Sequence, residues 1–488
     1  MSLKTEAASG VRWVALSSGM RFALMMGRLT VITRLLEVRE LGLASMAAVV
    51  LGYANAYVDM GLSTAIIQKR ETDERKLSTL FWLNVGGGAL AAAVVYALRQ
   101  PIAGLFGSEA LAGLLPLAAV HIAIISVGRQ PAALFRRQLE FRRIALLQVA
   151  GDLVNTAVAI GLAWRGYGAL SLVAAAVAGA ALQNAGLLVS GLRRWPVRAH
   201  FDLESVRPHL SFGFYELGKL NAGYLAANAD KFLIARYLGP ESVGLYTVAQ
   251  RLTQIPRSFV IPTVSKVALP IFSQQQDRPQ QMLGAYWTLQ KSLAYLNLPL
   301  IVGLLMTCHL AVPLLYGSKY HGAIVIVQWL SVLTAITSIS GPTQLVRTAL
   351  GMVRFNFHWS WASGLLITLV LWVGAREGLM PMVWARVACG WLSSLVLIGL
   401  TLGVLDSNLW GFVRNVARPV AATAIMVVAV LGALAVVSER SPWLQLPVVV
   451  AAGGLTYVGA AWALDAAFLR ENLLVLLGRK RQPPTPSR

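Results

Sequence analysis

The chain of 488 residues is 57% hydrophobic and only 13% charged, whereas soluble domains usually carry about 25% charged residues. Its 42 Lys and Arg residues outnumber 21 Asp and Glu residues, which gives a formal net charge of +21. This composition argues against a soluble enzyme, a disordered chain or a secreted disulfide scaffold, and it predicts an all-α membrane protein that crosses the bilayer many times.

Fourteen apolar segments are each long enough to cross the hydrocarbon layer, which takes about 20 residues of helix. In chain order, the predicted spans are 12–34, 43–66, 79–98, 111–130, 144–164, 169–190, 209–234, 243–268, 285–313, 323–345, 357–375, 381–404, 417–437 and 444–466. The connections between them are short, so no soluble domain is expected. We therefore predict about 14 transmembrane helices with both termini on the same side of the membrane.

Basic residues are distributed unevenly between the two sides, and in membrane proteins short cytoplasmic loops accumulate Lys and Arg. If the N-terminus is cytoplasmic, the outer connections hold few basic residues: Arg39, Arg99, Arg165, Arg236, Lys319, Arg376 and Arg440. The inner segments hold most of the others, including Arg347, Arg414 and Arg418. We predict cytoplasmic N- and C-termini, and topology explains the net charge better than nucleic-acid binding, so no nucleic-acid partner is expected.

A short internal repeat links the two halves of the chain. Residues 34–43 and 236–245 share Arg, Leu, Gly and Leu at an offset of 202 positions, after the first and the seventh predicted span. Repeats of six spans have the same orientation and are related by an axis along the membrane normal. The sequence thus predicts two six-helix lobes, an N-lobe at 1–208 and a C-lobe at 209–404, followed by two further helices and a basic tail at 405–488.

Several motifs resemble one transporter family. They are residues 59–70 (DMGLSTAIIQKR), 77–84 (LSTLFWLN), 135–143 (FRRQLEFRR), 166–170 (GYGAL), 228–231 (NADK) and 236–241 (RYLGPE). These motifs resemble the polysaccharide-transporter (Wzx-type) flippases of the MOP/MATE exporter superfamily, in particular the colanic-acid-exporter type, over about residues 10–360.

The resemblance implies a two-lobed bundle with a central cavity in the bacterial inner membrane. By alternating access, such a protein carries undecaprenyl-pyrophosphate-linked oligosaccharide repeat units from the inner to the outer leaflet for exopolysaccharide or O-antigen biosynthesis. Its partners would be membrane lipids, this lipid-linked oligosaccharide, and a polysaccharide polymerase with its chain-length machinery.

Ionisable side chains inside the predicted spans are the candidate site residues. A charge costs roughly 2.5–3.5 kcal/mol at mid-helix, so it should face a wet cavity or a partner. The basic residues predicted to line a cationic, substrate-binding cavity are Arg21, Arg28, Lys219, Arg251, Arg257, Lys266 and Lys291. Guanidinium groups bind phosphate oxygens in pairs. The alternative for several of them is a structural pair, such as Glu216 with Lys219, or snorkelling to the interface.

The acidic residues in the spans suggest ion coupling. Asp152, Glu216 and Asp230 are candidates to bind a proton or Na⁺ that is coupled to transport. The membrane potential alone is an alternative driving force, because it is worth about 2.3 kcal/mol per charge per 100 mV. No catalytic residue, metal site or other cofactor is predicted, and the separated Cys308 and Cys389 cannot form a cysteine-based zinc site.

Two other functions remain open at this point. One is a multidrug or cation antiporter of the same fold, which would require an acidic cavity to bind its substrate. The other is a membrane enzyme of polysaccharide assembly, which would usually need a sizeable outer catalytic loop that this chain lacks. We expect a transporter and not an enzyme.

Overall fold

The computed structural model describes residues 3–59, 66, 73–198, 200–276 and 278–476. Within the helices, the side chains of residues 3–12, 15, 56–57, 59, 203–222, 226, 257–271, 353 and 472–476 lie outside the description. The described residues form α-helices and no β-strand. In chain order the helices α1 to α15 are Leu3–Leu35, Val38–Asp59, Glu74–Ala97, Arg99–Leu105, Ala110–Arg137, Phe141–Trp164, Ala169–Leu192, Leu203–Gln274, Pro279–Tyr316, Ala323–Ile339, Gly341–Ala349, Val353–Glu377, Leu379–Val404, Leu409–Val436 and Pro442–Leu476.

Within the described residues the predicted spans lie on these helices, since a long apolar run satisfies its backbone hydrogen bonds only as a helix in lipid. The end of the second predicted span, 60–65, lies outside the described residues. Ten segments of the described residues are long and apolar enough to cross a membrane. They lie on α3, α5, α6, α7, α9, α10 with α11, α12, α13, α14 and α15. The predicted all-α membrane fold is therefore confirmed, while the total of fourteen spans and the cytoplasmic position of both termini stay predictions.

The connection between the seventh and eighth predicted spans is shorter than expected. The sequence left residues 235–242 between them, but α8 runs through this region and leaves helical geometry at Gly239, with φ 78° and ψ 176°. Glycine adopts positive φ without steric cost, and the proline that follows lacks the amide hydrogen a continuing helix would use. A one-residue kink thus replaces the predicted loop.

Contacts within the chain define two compact units. Unit 1 contains Met1–Thr247 and Gly364–Leu379, and unit 2 contains Val248–Ser363 and Met380–Arg488. The division between them falls inside α8 and not at residue 208. The lobe boundaries at 208 and 404 therefore stay a prediction.

Unit 1 is built around α5 and α6. Helix α5 packs against α2, α3 and α7, while α6 packs against α1 and α7. Gly151 of α6 and Gly179 of α7 let the two backbones approach closely, because a Cβ atom on either would lie under 3 Å from the other's carbonyl oxygen. Small residues at helix contacts are typical of membrane bundles, where close packing replaces the hydrophobic effect. This packing fixes α6 against α7, and α1 packs on α6, on which the charged site depends.

The two repeated segments meet each other in unit 1. A Cβ atom on Gly42 would overlap the carbonyl oxygen of Pro240, and one on Gly244 would overlap the carbonyl oxygen of Val38. At the repeat offset of 202, Gly42 corresponds to Gly244 and Val38 to Pro240. The contact is thus reciprocal, as in a two-fold interface, and it gives a packing reason for the glycine that both segments share.

Unit 2 has its core where α9 crosses α10, α11 and α14. Large side chains buried in this core include Phe272, Met282, Tyr286, Ile398 and Phe412. Helix α9 also packs against α15, and α14 packs along α15. The last two helices are therefore an integral part of unit 2, which brings their charged residues next to α9.

Candidate functional site

The first cluster of charges lies between α1 and α6 in unit 1. Arg21 and Arg28 are seven residues apart, which is two turns of one helix face. The Arg21 Nε donates to Asp152 Oδ2 at 2.5 Å, and its Nη1 donates to Gln148 Oε1 at 3.2 Å. One step along the same face of α6, Asn155 Oδ1 accepts a hydrogen bond from Arg28 Nη1. The two arginines thus face a polar strip on α6 that holds them in position.

This cluster, which we call the α1–α6 cationic face, carries excess positive charge. Its residues are Arg21, Arg28, Gln148, Asp152 and Asn155, with two guanidinium groups against one carboxylate. The Arg21 side chain is 42% exposed and that of Asp152 is 31% exposed, so their ion pair remains accessible. Each guanidinium carries five N–H donors, and the bonds to α6 use only some of them. The remaining donors can bind an anion.

Asp152 is one of the residues predicted to couple transport to an ion. The structure places its carboxylate against Arg21, which already neutralises it. This partner was not predicted from the sequence, because it lies 131 residues away. The proposed role in ion coupling is not tested by this contact and stays a prediction.

Asp230, the second such candidate described here, is buried in unit 1. Its side chain is 3% exposed, its Oδ2 accepts from the Tyr246 hydroxyl at 2.6 Å, and its Oδ1 accepts from the backbone N–H of Lys231 at 2.8 Å. The role of Asp230 in binding a proton or Na⁺ stays a prediction. The side chains of Glu216 and Lys219, its predicted neighbours on α8, lie outside the described residues.

The second cluster of charges lies in unit 2, around Asp465 of α15. Its Oδ1 accepts from Arg418 Nη1 at 2.8 Å, and its Oδ2 accepts from the Tyr295 hydroxyl at 3.1 Å and pairs with Lys291 Nζ. The Lys291 ammonium also sits 4.4 Å from the centre of the Phe468 ring. Lys291 was predicted to line a cationic cavity, whereas here it forms part of a buried ion-pair network.

Sequence reasoning missed Asp465 and Arg418. It treated the last two spans as an appendage and began the thirteenth at residue 417, but α14 starts eight residues earlier at Leu409. Arg418 therefore lies inside the helix and not at a loop boundary. The signal was present, because Asp465 interrupts an apolar run, and the rule that a charge in a span needs a partner applies to it equally.

Arg347 was predicted to lie in an inner connection, and the side of the membrane that it occupies stays a prediction. It lies in α11 and is 4% exposed, with its Nε bonded to Asn356 Oδ1 at 2.9 Å and its Nη1 bonded to Thr401 Oγ1 at 3.0 Å. No carboxylate pairs with it among the described side chains. Neutral hydrogen-bond acceptors therefore stabilise the buried positive charge of Arg347.

The surroundings of Arg347 mirror a site in unit 1 with the partners exchanged. In unit 1 the Arg143 guanidinium lies 5.1 Å from the Phe135 ring centre, and in unit 2 the Arg347 guanidinium lies 5.9 Å from the ring centre of Phe355. Both pairs span eight residues across a helix end with positive φ, at Leu139 and at Gly351. In unit 1 the Phe precedes the Arg, whereas in unit 2 the Arg precedes the Phe. The arginine is half-exposed in unit 1 and buried in unit 2.

The remaining predicted cavity residues are only partly described. Arg251, at the start of unit 2, has an exposed side chain. The side chains of Arg257 and Lys266 lie outside the described residues. The structure therefore brings Arg21, Arg28 and Asp152 together in unit 1, and it brings Lys291 to Asp465 in unit 2. The predicted role of all these residues in substrate binding stays a prediction.

Sequence comparisons identify relatives in polysaccharide synthesis. The model of the family described as "Polysaccharide biosynthesis protein" matches residues 31–325. The teichuronic acid biosynthesis protein TuaB of Bacillus subtilis is 26% identical, over 94% of this chain and 95% of its own length. The lipopolysaccharide biosynthesis protein WzxC of Escherichia coli is 26% identical, over 74% of this chain and 73% of its own.

Structural comparisons place the fold among known exporters. The lipid II flippase MurJ in an inward closed conformation matches with a TM-score of 0.74 at 14% identity, covering 94% of this chain and all of its own. An inward-facing MATE multidrug transporter of the MOP superfamily matches with a TM-score of 0.57 at 14% identity, over 81% of this chain and 95% of its own. The predicted family resemblance and the MOP-type fold of a multi-pass membrane protein are both confirmed.

Proposed function

The chain belongs to the family of polysaccharide biosynthesis proteins, and we propose that it is a flippase for undecaprenyl-pyrophosphate-linked oligosaccharide repeat units. It would carry them from the inner to the outer leaflet of the bacterial inner membrane by alternating access. The relatives named for teichuronic acid and lipopolysaccharide biosynthesis support a substrate of this class. So does a structural neighbour named as the flippase of another lipid, lipid II.

The observation that carries the proposal is the excess positive charge of the α1–α6 cationic face. A lipid pyrophosphate has phosphate oxygens at the spacing that planar guanidinium groups bind in pairs. Arg21 and Arg28 are already ordered by α6, so little side-chain entropy is lost when an anion binds. Gln148 and Asn155 offer amide groups of the kind that hydrogen-bond sugar hydroxyls beside the phosphate.

Energy for transport can come from two sources in this proposal. Moving a negative charge outward across an inside-negative membrane gains about 2.3 kcal/mol per charge per 100 mV. Proton or Na⁺ coupling through Asp152, Glu216 or Asp230 is the second source. Transport that continues unchanged after both ion gradients are collapsed would remove this second part of the proposal.

A cation antiporter of the same fold is less well supported. Such a protein needs accessible, uncompensated carboxylates to attract its substrate. Among the described residues, Asp152 is neutralised by Arg21, Asp465 pairs with two cations, and Asp230 is only 3% exposed with both oxygens already hydrogen-bonded. We likewise propose that the chain moves its substrate without chemical change. A polysaccharide polymerase and its chain-length machinery would consume the flipped units on the outer side.

The proposal is tested by deleting the gene in its own bacterium and extracting membrane lipids. We expect complete lipid-linked repeat units to accumulate in the inner leaflet and cell-surface polysaccharide to fall, with both reversed by a plasmid copy. Loss of a synthetic enzyme would instead leave the repeat unit truncated or missing. Normal surface polysaccharide together with a normal level of lipid-linked units would contradict the proposed function.

A further inference from the structure

A second cluster of positive charge is present in unit 2, where α14 and α15 pack on α9. Asp465 is 6% exposed and interrupts α15, with φ −154° and ψ 45°. At this break the Asp465 carboxylate contacts residues of two other helices, α9 and α14. A buried carboxylate is stable only with partners, and here it has two cations and a tyrosine hydroxyl.

The charges of this cluster do not cancel. Lys291 is nearly enclosed, with a side chain 14% exposed, and together with Asp465 it forms a neutral buried pair. Arg418 is an additional cation whose side chain is 60% exposed. Among the described residues it gives one hydrogen bond to a side chain, from Nη1 to Asp465. Asp465 thus holds one side of the Arg418 guanidinium and leaves its other N–H donors facing outward.

A second arginine extends the same exposed surface. Arg414 lies four residues before Arg418 on α14, so the two share a helix face, and both are exposed. This face belongs to a multi-pass membrane protein, and the helix runs about 14 Å from its first residue to Arg418. A long basic side chain in the first turns of a membrane-spanning helix can extend its charged head toward the headgroups.

Aromatic residues mark the same end of these helices as an interfacial region. Trp410 near the start of α14 is 72% exposed. Near the end of α15, the Arg470 guanidinium lies 5.3 Å from the ring centre of Trp462. Trp residues beside basic residues are typical of the headgroup level of a bilayer.

From these observations we propose that Arg414 and Arg418 form a binding site for the phosphate of a membrane-lipid headgroup. Two guanidinium groups one helical turn apart, one of them pre-oriented by a buried carboxylate, match the several oxygens of a phosphate. Positive charge within a membrane-spanning helix is otherwise costly, and a lipid phosphate would supply a counter-charge for the exposed guanidinium groups. The inference goes beyond the proposed function, because this site lies in unit 2 and its occupancy does not require transport.

The test is lipid binding to the purified full-length protein by native mass spectrometry. Phosphatidylglycerol is titrated into delipidated protein, and undecaprenyl pyrophosphate is titrated in a second arm. The variants are Arg418→Gln and Arg414→Gln, and the matched control is Arg440→Gln, an exposed arginine beyond the other end of α14. Asp465 keeps Lys291 as a partner in Arg418→Gln, so we expect this variant to fold.

We expect Arg418→Gln to weaken lipid binding about tenfold, since a charge-assisted hydrogen bond contributes roughly 1.5–3 kcal/mol, and Arg440→Gln to have no effect. Weaker binding of both lipids assigns the site to lipid phosphates in general. Weaker binding of undecaprenyl pyrophosphate alone assigns it to the substrate headgroup. Unchanged binding of both lipids to Arg418→Gln, or an equal loss in Arg440→Gln, would overturn the proposal.

Discussion

Replacing Arg28 by leucine is expected to lower export of the polysaccharide at least tenfold without lowering the amount of protein in the membrane. Arg28 is half-buried between α1 and α6 and bonded to the neutral Asn155. Leucine removes a charge that is costly inside a membrane span, which offsets the hydrogen bond that Asn155 loses, so we expect the variant to fold. Its loss of export would then report on substrate binding alone.

The measurement for Arg28→Leu is cell-surface polysaccharide at matched protein levels in a strain that lacks the chromosomal gene. Arg28→Lys keeps the charge but loses the planar pair of donors, so its export should fall between those of the wild type and Arg28→Leu. Arg165→Gln is the control, because this exposed arginine lies in a turn that follows α6. Wild-type export by Arg28→Leu would show that the residue plays no part in binding.

Replacing Asp465 by alanine is expected to destabilise the protein by about 3–5 kcal/mol. The change leaves the enclosed Lys291 without its counter-charge, and breaking one side of a buried ion pair costs roughly this amount. The Tyr295 hydroxyl also loses its acceptor. Unfolding of the purified protein in detergent, followed by tryptophan fluorescence, measures the effect.

The double variant Lys291→Met with Asp465→Leu is the informative comparison for this network. Replacing both members of a buried pair by apolar side chains is often close to neutral, and the exposed Arg418 can turn toward the lipid headgroups. We therefore expect the double variant to be more stable than Asp465→Ala alone. Equal stability of Asp465→Ala and the wild type would mean that the ion pair contributes nothing to unit 2.

Helix positions were predictable because they depend on local composition. The fifth predicted span, 144–164, lies within α6 at Phe141–Trp164, and the sixth, 169–190, lies within α7 at Ala169–Leu192. A run of apolar residues requires a helix in lipid regardless of what surrounds it. The break at Gly239 falls within the predicted connection 235–242, since Gly-Pro carries its own backbone constraint, but a loop was predicted there and not a kink.

The partners of the charges were not predictable in the same way. Arg21 and Asp152 are 131 residues apart, and their pairing depends on α1 packing along α6. Nothing in the spacing of either helix specifies that contact. Hydropathy also does not predict that the pair Phe135 and Arg143 corresponds to the pair Arg347 and Phe355. This correspondence depends on two helix ends that have the same geometry.

A transport assay in proteoliposomes tests the role of the α1–α6 cationic face most directly. Vesicles containing purified protein and labelled undecaprenyl-pyrophosphate-linked repeat units are exposed to a membrane-impermeant enzyme that cleaves only the units on the outer leaflet. We expect wild-type protein to make the lipid-linked units of the inner leaflet accessible to the enzyme. The double variant Arg21→Gln with Arg28→Gln should not do so. The double variant Arg165→Gln with Arg440→Gln removes the same charge and should behave as wild type. Equal transport by both double variants would contradict the proposed role of the α1–α6 cationic face.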